Sequence, residues 1–262
     1  MIRVVDILKL LEEIAPPRFA ASYDNVGHIV GRRNSEVKKI VVALDITSNV
    51  IDEAISSGAN LIVSHHPVIF GKRSTVTDSD VTGSLILKLA ENGISAICMH
   101  TNLDCAKDGV NDVLADALSL CDTAPVEPQE DGTVGCGRVG VLSEEKELGV
   151  FLAEVCKALK TRGLKYHSAG NKVRKVIVGG GSCGDYISLA KSFGCDTVVT
   201  ADIKHNQFIE AAELHINAID AGHFATEDVV CPYICEVIRK AFPSIPTVLA
   251  KSDKDCTEFF TV

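Results

Sequence analysis

Six side chains suited to holding divalent cations or moving protons fall in three short signatures: Ser64-His65-His66-Pro67, His100-Thr101-Asn102-Leu103-Asp104 and Gly222-His223-Phe224-Ala225-Thr226-Glu227. Each signature lies where an apolar run ends. Imidazole nitrogens and carboxylate oxygens without a thiolate suit Zn, Fe, Mn, Co or Mg rather than a closed structural thiolate site. His65, His66, Asp104, His223 and Glu227 are therefore candidate metal ligands. Two cations about 3.5 to 4 Å apart lower the pKa of a bridging water from ~15.7 to about 7 and clamp an oxyanion, which is hydrolytic chemistry. Glu227 is the residue suited to bridge two cations, because a carboxylate has two ligand oxygens and an imidazole nitrogen binds one ion. His100, with an ordinary pKa near neutrality, is the candidate proton shuttle and so the candidate catalytic residue.

The surrounding residues restrict where these groups sit. Neighbouring residues of a strand point to opposite faces, so His65 and His66 cannot converge from mid-strand. Pro67 pushes His66 toward extended backbone and lacks a ladder donor, which puts the pair on a turn leaving the sheet. Ligands gather at that edge in open α/β folds. His100 and Asp104 follow another apolar run, Ile94 to Met99. His223 and Glu227, four apart at the start of a helix, share one helix face.

The elements that must carry these turns alternate along the chain. Helical periodicity over Val5 to Ile14 stops at Pro16-Pro17, and Ile40 to Ile46 is a continuous apolar run of buried-strand length. Thr47 or Ser48 can cap the next helix, which ends near Gly58. Leu61 to Val63 reads as a strand, Leu85 to Asn92 as a helix, Ile94 to Met99 as a strand and Gly109 to Leu120 as a helix. Residues 122 to 134 turn to Pro, Glu, Gln, Asp and Gly, a loop or boundary composition. Strands are then expected at 139–142, 173–178, 197–200 and 216–220, with helices at 145–159, after Gly184, at 206–213 and at 226–241. The fold class is α/β: two α/β units with mostly parallel or mixed sheets and a metal cleft at the strand ends. The first unit is expected over 1–125 and the second over 126–262, with the carboxy-terminal part able to pack back on the first.

Bulk properties exclude several functions. A chain of 262 residues with 46% hydrophobic residues can bury a full core without a metal or disulfide. A net charge of -9 speaks against general nucleic-acid binding, which needs a basic face that releases counterions. The first residues lack a basic n-region and a small-residue cleavage site, and no apolar run approaches the ~20 residues that span a bilayer. A cytoplasmic protein without a membrane segment is expected. The ten cysteines include no Cys-x-x-Cys pair and sit mostly in apolar segments, so they read as reduced thiols packing as small hydrophobes, with Cys105 nearest the chemistry. His28, His167 and His215 read as histidines satisfied by hydrogen bonds.

One motif competes with the metal reading. Gly179-Gly180-Gly181-Ser182-Cys183-Gly184 follows a strand and opens a helix, with Asp202 beyond it, as in a dinucleotide-binding loop. The same loop also suits amides that meet a substrate phosphate or carboxylate, or simply a tight strand-to-helix turn.

Taken together, Ser64-His65-His66-Pro67-x-x-Phe70, His100-Thr101-x-x-Asp104 with Gly109-Val110-Asn111-Asp112, Ile219-Asp220-Ala221-Gly222-His223-x-x-x-Glu227 and Asp24-Asn25-Val26-Gly27 resemble the NIF3-like family, the GTP cyclohydrolase 1 type 2 homologs. The resemblance spans nearly the whole chain. It implies a two-domain NIF3-like fold, two divalent metal ions on His65, His66, Asp104, His223 and Glu227 with His100 beside them, and a toroidal homohexamer. His28 stands where the family commonly has leucine, and residues 200–206 follow the family's Thr-Gly-Asp-x-x-Tyr-His segment only loosely. The expected activity is metal-dependent hydrolysis of a small nucleotide-like or heterocyclic molecule. The alternative is a non-enzymatic metal-binding, metal-delivery or partner-binding ring.

Overall fold

The computed structural model describes residues 1–130 and 132–260. In chain order the described strands are β1 Gly27–Val30, β2 Ile40–Ala43, β3 Leu61–Ser64, β4 Ser95–Cys98, β5 Cys121–Gln129, β6 Val134–Lys146, β7 Lys165–His167, β8 Val173–Val178, β9 Thr197–Thr200, β10 Asn217–Asp220 and β11 Thr247–Leu249. The helices are α1 Val4–Ile14, α2 Ser48–Ser56, α3 Val81–Glu91, α4 Thr101–Cys105, α5 Val110–Ala117, α6 Leu148–Leu159, α7 Tyr186–Leu189, α8 His205–Leu214, α9 His223–Glu227 and α10 Val230–Ala241. None of the described helices is long and apolar enough to cross a membrane.

The chain divides into two compact units, residues 1–106 with 231–254, and residues 107–230 with 255–262. The division expected at 125/126 differs for a local reason: β5 runs through that point, hydrogen-bonded to β6 from Cys121↔Val141 to Gln129↔Val134. The loop expected over 122–134 is thus mainly a strand, with Asp131 outside the described residues. Pro125 and Pro128 hid it, yet β5 is an edge strand, where a missing N–H is tolerated.

Unit 1 holds a five-stranded sheet in the order β1-β4-β3-β2-β11. Strands β11, β2, β3 and β4 are parallel, and β1 closes one edge antiparallel to β4. The central strands are buried along their whole length, as an apolar run without alternation requires. Thr47 is the residue that caps α2, accepting from the Val50 amide at 3.3 Å. Val50, Ile51 and Ala54 of that helix pack with Val41, Ala43, Ile62 and Ala96 of the sheet.

Unit 2 holds a six-stranded mixed sheet in the order β5-β6-β8-β9-β10-β7, with β8, β9 and β10 parallel. Successive β8 residues serve opposite faces: Val176 and Val178 pack with Leu114, Phe151 and Val155, while Ile177 packs with Ile187, Val198 and Ala211. Helices therefore cover both faces, as a parallel sheet demands. The helix expected over 226–241 is split into α9 and α10, so His223 and Glu227 lie on a short helix of their own.

The Gly109-Val110-Asn111-Asp112 motif is structural in unit 2. Arg138 is 2% exposed and its guanidinium is held by the Asp112 carboxylate through Nε and Nη2, and by the carbonyls of Gly135 and Gly137 through Nη1. Removing the carboxylate would strand a buried cation. Asp112→Ala is expected to destabilise the protein by about 3 to 5 kcal/mol in denaturant unfolding. An Asp112→Ala variant as stable as wild type would contradict this account of the pair.

Candidate metal centre

In unit 1 the first two signatures leave neighbouring parallel strands on the same side. His65 and His66 follow β3, and their amides still bond the carbonyls of Ala43 and Leu44 at 3.2 and 2.9 Å. His100 follows β4 by two residues and is the residue from which α4 starts, with Asp104 one turn further. The ring centroids of His65 and His66 are 5.0 Å apart, those of His65 and His100 5.2 Å, and those of His66 and His100 5.6 Å. One ligand nitrogen from each of the three lies within 4.8 Å of the others, so this group could hold a metal ion. His65 Nε2 and Asp104 Oδ1 face each other at 3.6 Å. Two ligands at about 2.1 Å from a tetrahedral cation are separated by about 3.4 Å, so this spacing suits a shared ion better than a hydrogen bond.

Each ring is oriented by an acceptor at its other nitrogen. His65 Nδ1 donates to the Met99 carbonyl at 2.8 Å, His66 Nδ1 pairs with Asp45 Oδ1 at 2.9 Å, and His100 Nδ1 pairs with Asp24 Oδ1 at 2.8 Å. A carbonyl or carboxylate oxygen only accepts, so Nδ1 carries the hydrogen in all three. Neutral imidazole then keeps its lone pair on Nε2, the nitrogen left to bind a cation.

Asp24 is the most constrained of these acceptors. Its carboxyl is fully buried and receives the Thr101 amide at 3.0 Å and the Thr101 hydroxyl at 2.5 Å as well as His100. Burial alone would raise its pKa, but the hydrogen bonds from His100 and Thr101 outweigh it and hold the carboxyl well below the usual range. Cys98 beneath the cluster goes the other way: burial first, then the charges of Asp24 and Asp104, push its thiol up and keep it protonated.

Unit 2 carries the third signature just past β10. His223 Nδ1 pairs with Asp202 Oδ2 at 2.7 Å, and His223 Nε2 lies 3.1 Å from Glu227 Oε2. The Glu227 hydrogen bond is the main cause that pushes the His223 pKa up to about 9; burial opposes it, and Asp202 adds to it. His223 therefore favours its protonated form beside Glu227, and a cation binding at Nε2 would have to displace that proton. Asp202 adopts the left-handed backbone at φ 52°, which aspartate tolerates. His205, which the sequence places near this segment, opens α8 as an exposed residue.

Four amides of the glycine loop are spent within unit 2. The Gly179 amide donates to the Val199 carbonyl, Gly180 to Asn111 Oδ1 at 2.9 Å, Gly181 to Thr226 Oγ1 at 3.0 Å and Cys183 to Thr200 Oγ1 at 3.0 Å. Amides already engaged cannot cradle a phosphate. At Gly181, with φ 64°, an added Cβ would collide with Glu227 Oε1 and come within 3.1 Å of His223 Nε2. Gly180 and Gly181 let the backbone lie against Glu227, while Gly179 and Gly184 pack against Cys183 and Gln207.

Among the other expectations, Cys98, Cys195, Cys231 and Cys235 are buried free thiols, whereas Cys105, expected as a reduced thiol, is disulfide-bonded. His28 departs from the satisfied histidine expected: its Nε2 is buried without a hydrogen-bond partner among the described residues, and burial lowers its pKa.

The fold and these two ligand sets define a class, an α/β protein with histidine and carboxylate clusters at the carboxyl ends of parallel strands. The chain belongs to the Duf34/NIF3 (NGG1p interacting factor 3) family, whose model matches residues 2–255. It is 34% identical over 261 residues to a Clostridium perfringens protein named GTP cyclohydrolase 1 type 2 homolog, covering 97% of this chain and 98% of that protein. A hypothetical protein from Staphylococcus aureus has a solved structure with TM-score 0.92 and 26% identity, covering 98% of this chain and 99% of that one. A Bacillus cereus protein related to NIF3 superposes with TM-score 0.88 at 26% identity, covering 99% of each chain.

The Asp24 contacts predict a pH signature. A depressed folded pKa contributes stability above the ordinary value of 3.8, and that contribution is lost as pH falls through the acid range. Asp24→Asn is expected to cost about 2 kcal/mol at pH 7, with the gap to wild type narrowing below pH 4. Thermal or denaturant unfolding at several pH values checks this; a gap that widened on acidification would reverse the assignment.

Proposed function

We propose that this protein binds two divalent metal ions through His65, His66, Asp104, His223 and Glu227 and uses them to hydrolyse a small nucleotide-like or heterocyclic substrate. The observation that carries the reading is the anchoring of every candidate ligand histidine at Nδ1, by Met99, Asp45 or Asp202, which leaves Nε2 for a cation. Isolated surface histidines need no such second partner. The donor set of imidazole and carboxylate without thiolate fits a catalytic ion better than a structural one. The Clostridium perfringens relative's name, GTP cyclohydrolase 1 type 2 homolog, supports a nucleotide-like substrate.

Divalent ions bound there would supply Lewis acidity and a water that ionises near neutral pH. The remaining steps belong to the chain. Asp24 keeps His100 in the tautomer whose Nε2 can accept a proton from the nucleophile and return it to the leaving group. Asp104 and Glu227 place negative charge against the ions. Asp45 and Asp202 hold the ligand rings in orientation and raise their basicity. We also propose that the chain assembles as a homohexameric ring, tested by light scattering with an expected mass of six chains.

The two ligand sets lie in different units, and the proposal is that they serve the same pair of ions. Elemental analysis then separates shared from independent sites. His66→Ala and Glu227→Gln are each expected to lose most of the metal of both ions, while His100→Ala retains it. Loss of only half the metal in each single variant, additive in the double, would sink the shared centre. Chelation is expected to abolish turnover while leaving the far-UV circular dichroism nearly unchanged and the melting temperature modestly lower, because each unit has its own apolar core. Unfolding on chelation would assign the metals to assembly or structure, and the protein to the metal-binding alternative.

A further inference from the structure

Beside the unit 1 cluster two large aromatic side chains stand in solvent. Tyr23 is 70% exposed and Phe70 is 53% exposed. Their rings meet edge to face, with centroids 6.3 Å apart at 60°. Phe70 in turn meets His100 at 5.9 Å and 77°, so the aromatic surface continues into the rings of His100, His66 and His65.

This exposure is held in place by the backbone around it. The segment carrying Tyr23 is tied down on both sides: the Ala21 amide donates to Thr101 Oγ1 at 2.9 Å, and Asp24 takes three hydrogen bonds from His100 and Thr101. Asn25 Nδ2 donates to the Ile69 carbonyl at 2.6 Å, fixing the backbone next to Phe70. The neighbours of both aromatics thus spend their polar groups on anchoring, while the two rings stay in water.

We propose that Tyr23 and Phe70 form a stacking platform for a planar heterocyclic ring, which they hold next to the Nε2 atoms of His65, His66 and His100. The proposal rests on the metal-centre reading for its purpose and names the substrate class that centre acts on. Stacking needs a flat, polarisable partner, and every nucleobase-like ring supplies a π face. The patch is too small to be a protein interface in its own right: two aromatic side chains offer at most about 300 to 500 Å², against about 800 Å² per partner in a stable complex. It does match one ring system. The neighbouring Asp24 carboxyl is buried and saturated, so it adds no charge to the face of the platform.

The chain has no tryptophan and four tyrosines, so its intrinsic fluorescence reports tyrosine directly. Guanosine and ribose are titrated into the full chain, with and without added divalent metal, and binding is read by fluorescence and calorimetry. Guanosine is expected to bind wild type and ribose is not. Tyr23→Ala and Phe70→Ala are each expected to weaken guanosine binding about tenfold, whereas Tyr23→Phe and Phe70→Tyr keep it. Metal content is measured in every variant and is expected to match wild type, because neither side chain offers a ligand. Binding of guanosine without metal would uphold the platform even if the metal-centre reading failed. No guanosine binding by wild type, or binding untouched by both alanine variants, would overturn the proposal. So would a change of oligomeric mass in the alanine variants without a change in guanosine binding, which would assign the rings to contact between copies.

Discussion

The arrangement depends on one recurring hydrogen bond, an oxygen acceptor at Nδ1 of a histidine. Four histidines of the signatures have it, from the Met99 carbonyl, Asp45, Asp24 and Asp202. An imidazole held only by its Cβ rotates between orientations and tautomers, so a set of them binds a cation only after losing that freedom. Here the rings are already oriented, and at His65, His66 and His100 the lone pair is assigned to Nε2. The acceptors also withdraw positive charge from a protonated or metallated ring, so the same contact that fixes geometry raises ligand basicity.

The fold explains where those acceptors come from. Parallel strands end together, and the residues just past their carboxyl ends are released from the ladder but not yet committed to a helix. Asp45 follows β2, His65 and His66 follow β3, and His100 follows β4, three neighbouring strands in register. Asp202 and His223 follow β9 and β10, also neighbours in register. Ligand and orienting acceptor thus come from adjacent strand ends, a relation that the sheet supplies without any contact close in sequence.

That relation also separates what could be read in the sequence from what could not. The candidate ligand residues stand out because their chemistry is local: a histidine pair before proline, a histidine four residues before a carboxylate. A buried strand such as Ile40–Ala43 is legible because a strand with parallel neighbours on both sides is apolar throughout. Asp45 was not read as functional, since an aspartate before a helix cap looks like turn chemistry, and its partner is 21 residues away. Asp24 was visible only as part of a family motif, and its partner His100 lies 76 residues on. The sequence of β5 suits a loop as well as an edge strand, because two prolines and its charged residues are at home in both. The glycine loop misled for a related reason. Glycine spacing records that backbone approaches something closely, but the something is the Glu227 carboxylate.

The placement of charge argues that these clusters exist for a ligand rather than for stability. His65, at 2% exposed, and Glu227, at 3%, are taken out of water at a desolvation cost that well-packed apolar residues would avoid. Each unit meanwhile has an apolar core built from other residues, in which Val41, Ile62 and Ala96 or Val176, Phe151 and Ile219 do the packing. Sites where a sequence departs from the rules of its own fold are where function is expected. Here the departure is systematic: ionisable groups collect at strand ends, acceptors are set behind them, and at His223 two carboxylates hold a proton up to a pKa of about 9. A site that grips a proton so firmly grips a divalent cation by the same electrostatics, and the two must compete for it. Metal affinity in such a centre would therefore depend on pH, weakening as the medium becomes acidic and the His223 proton becomes harder to displace.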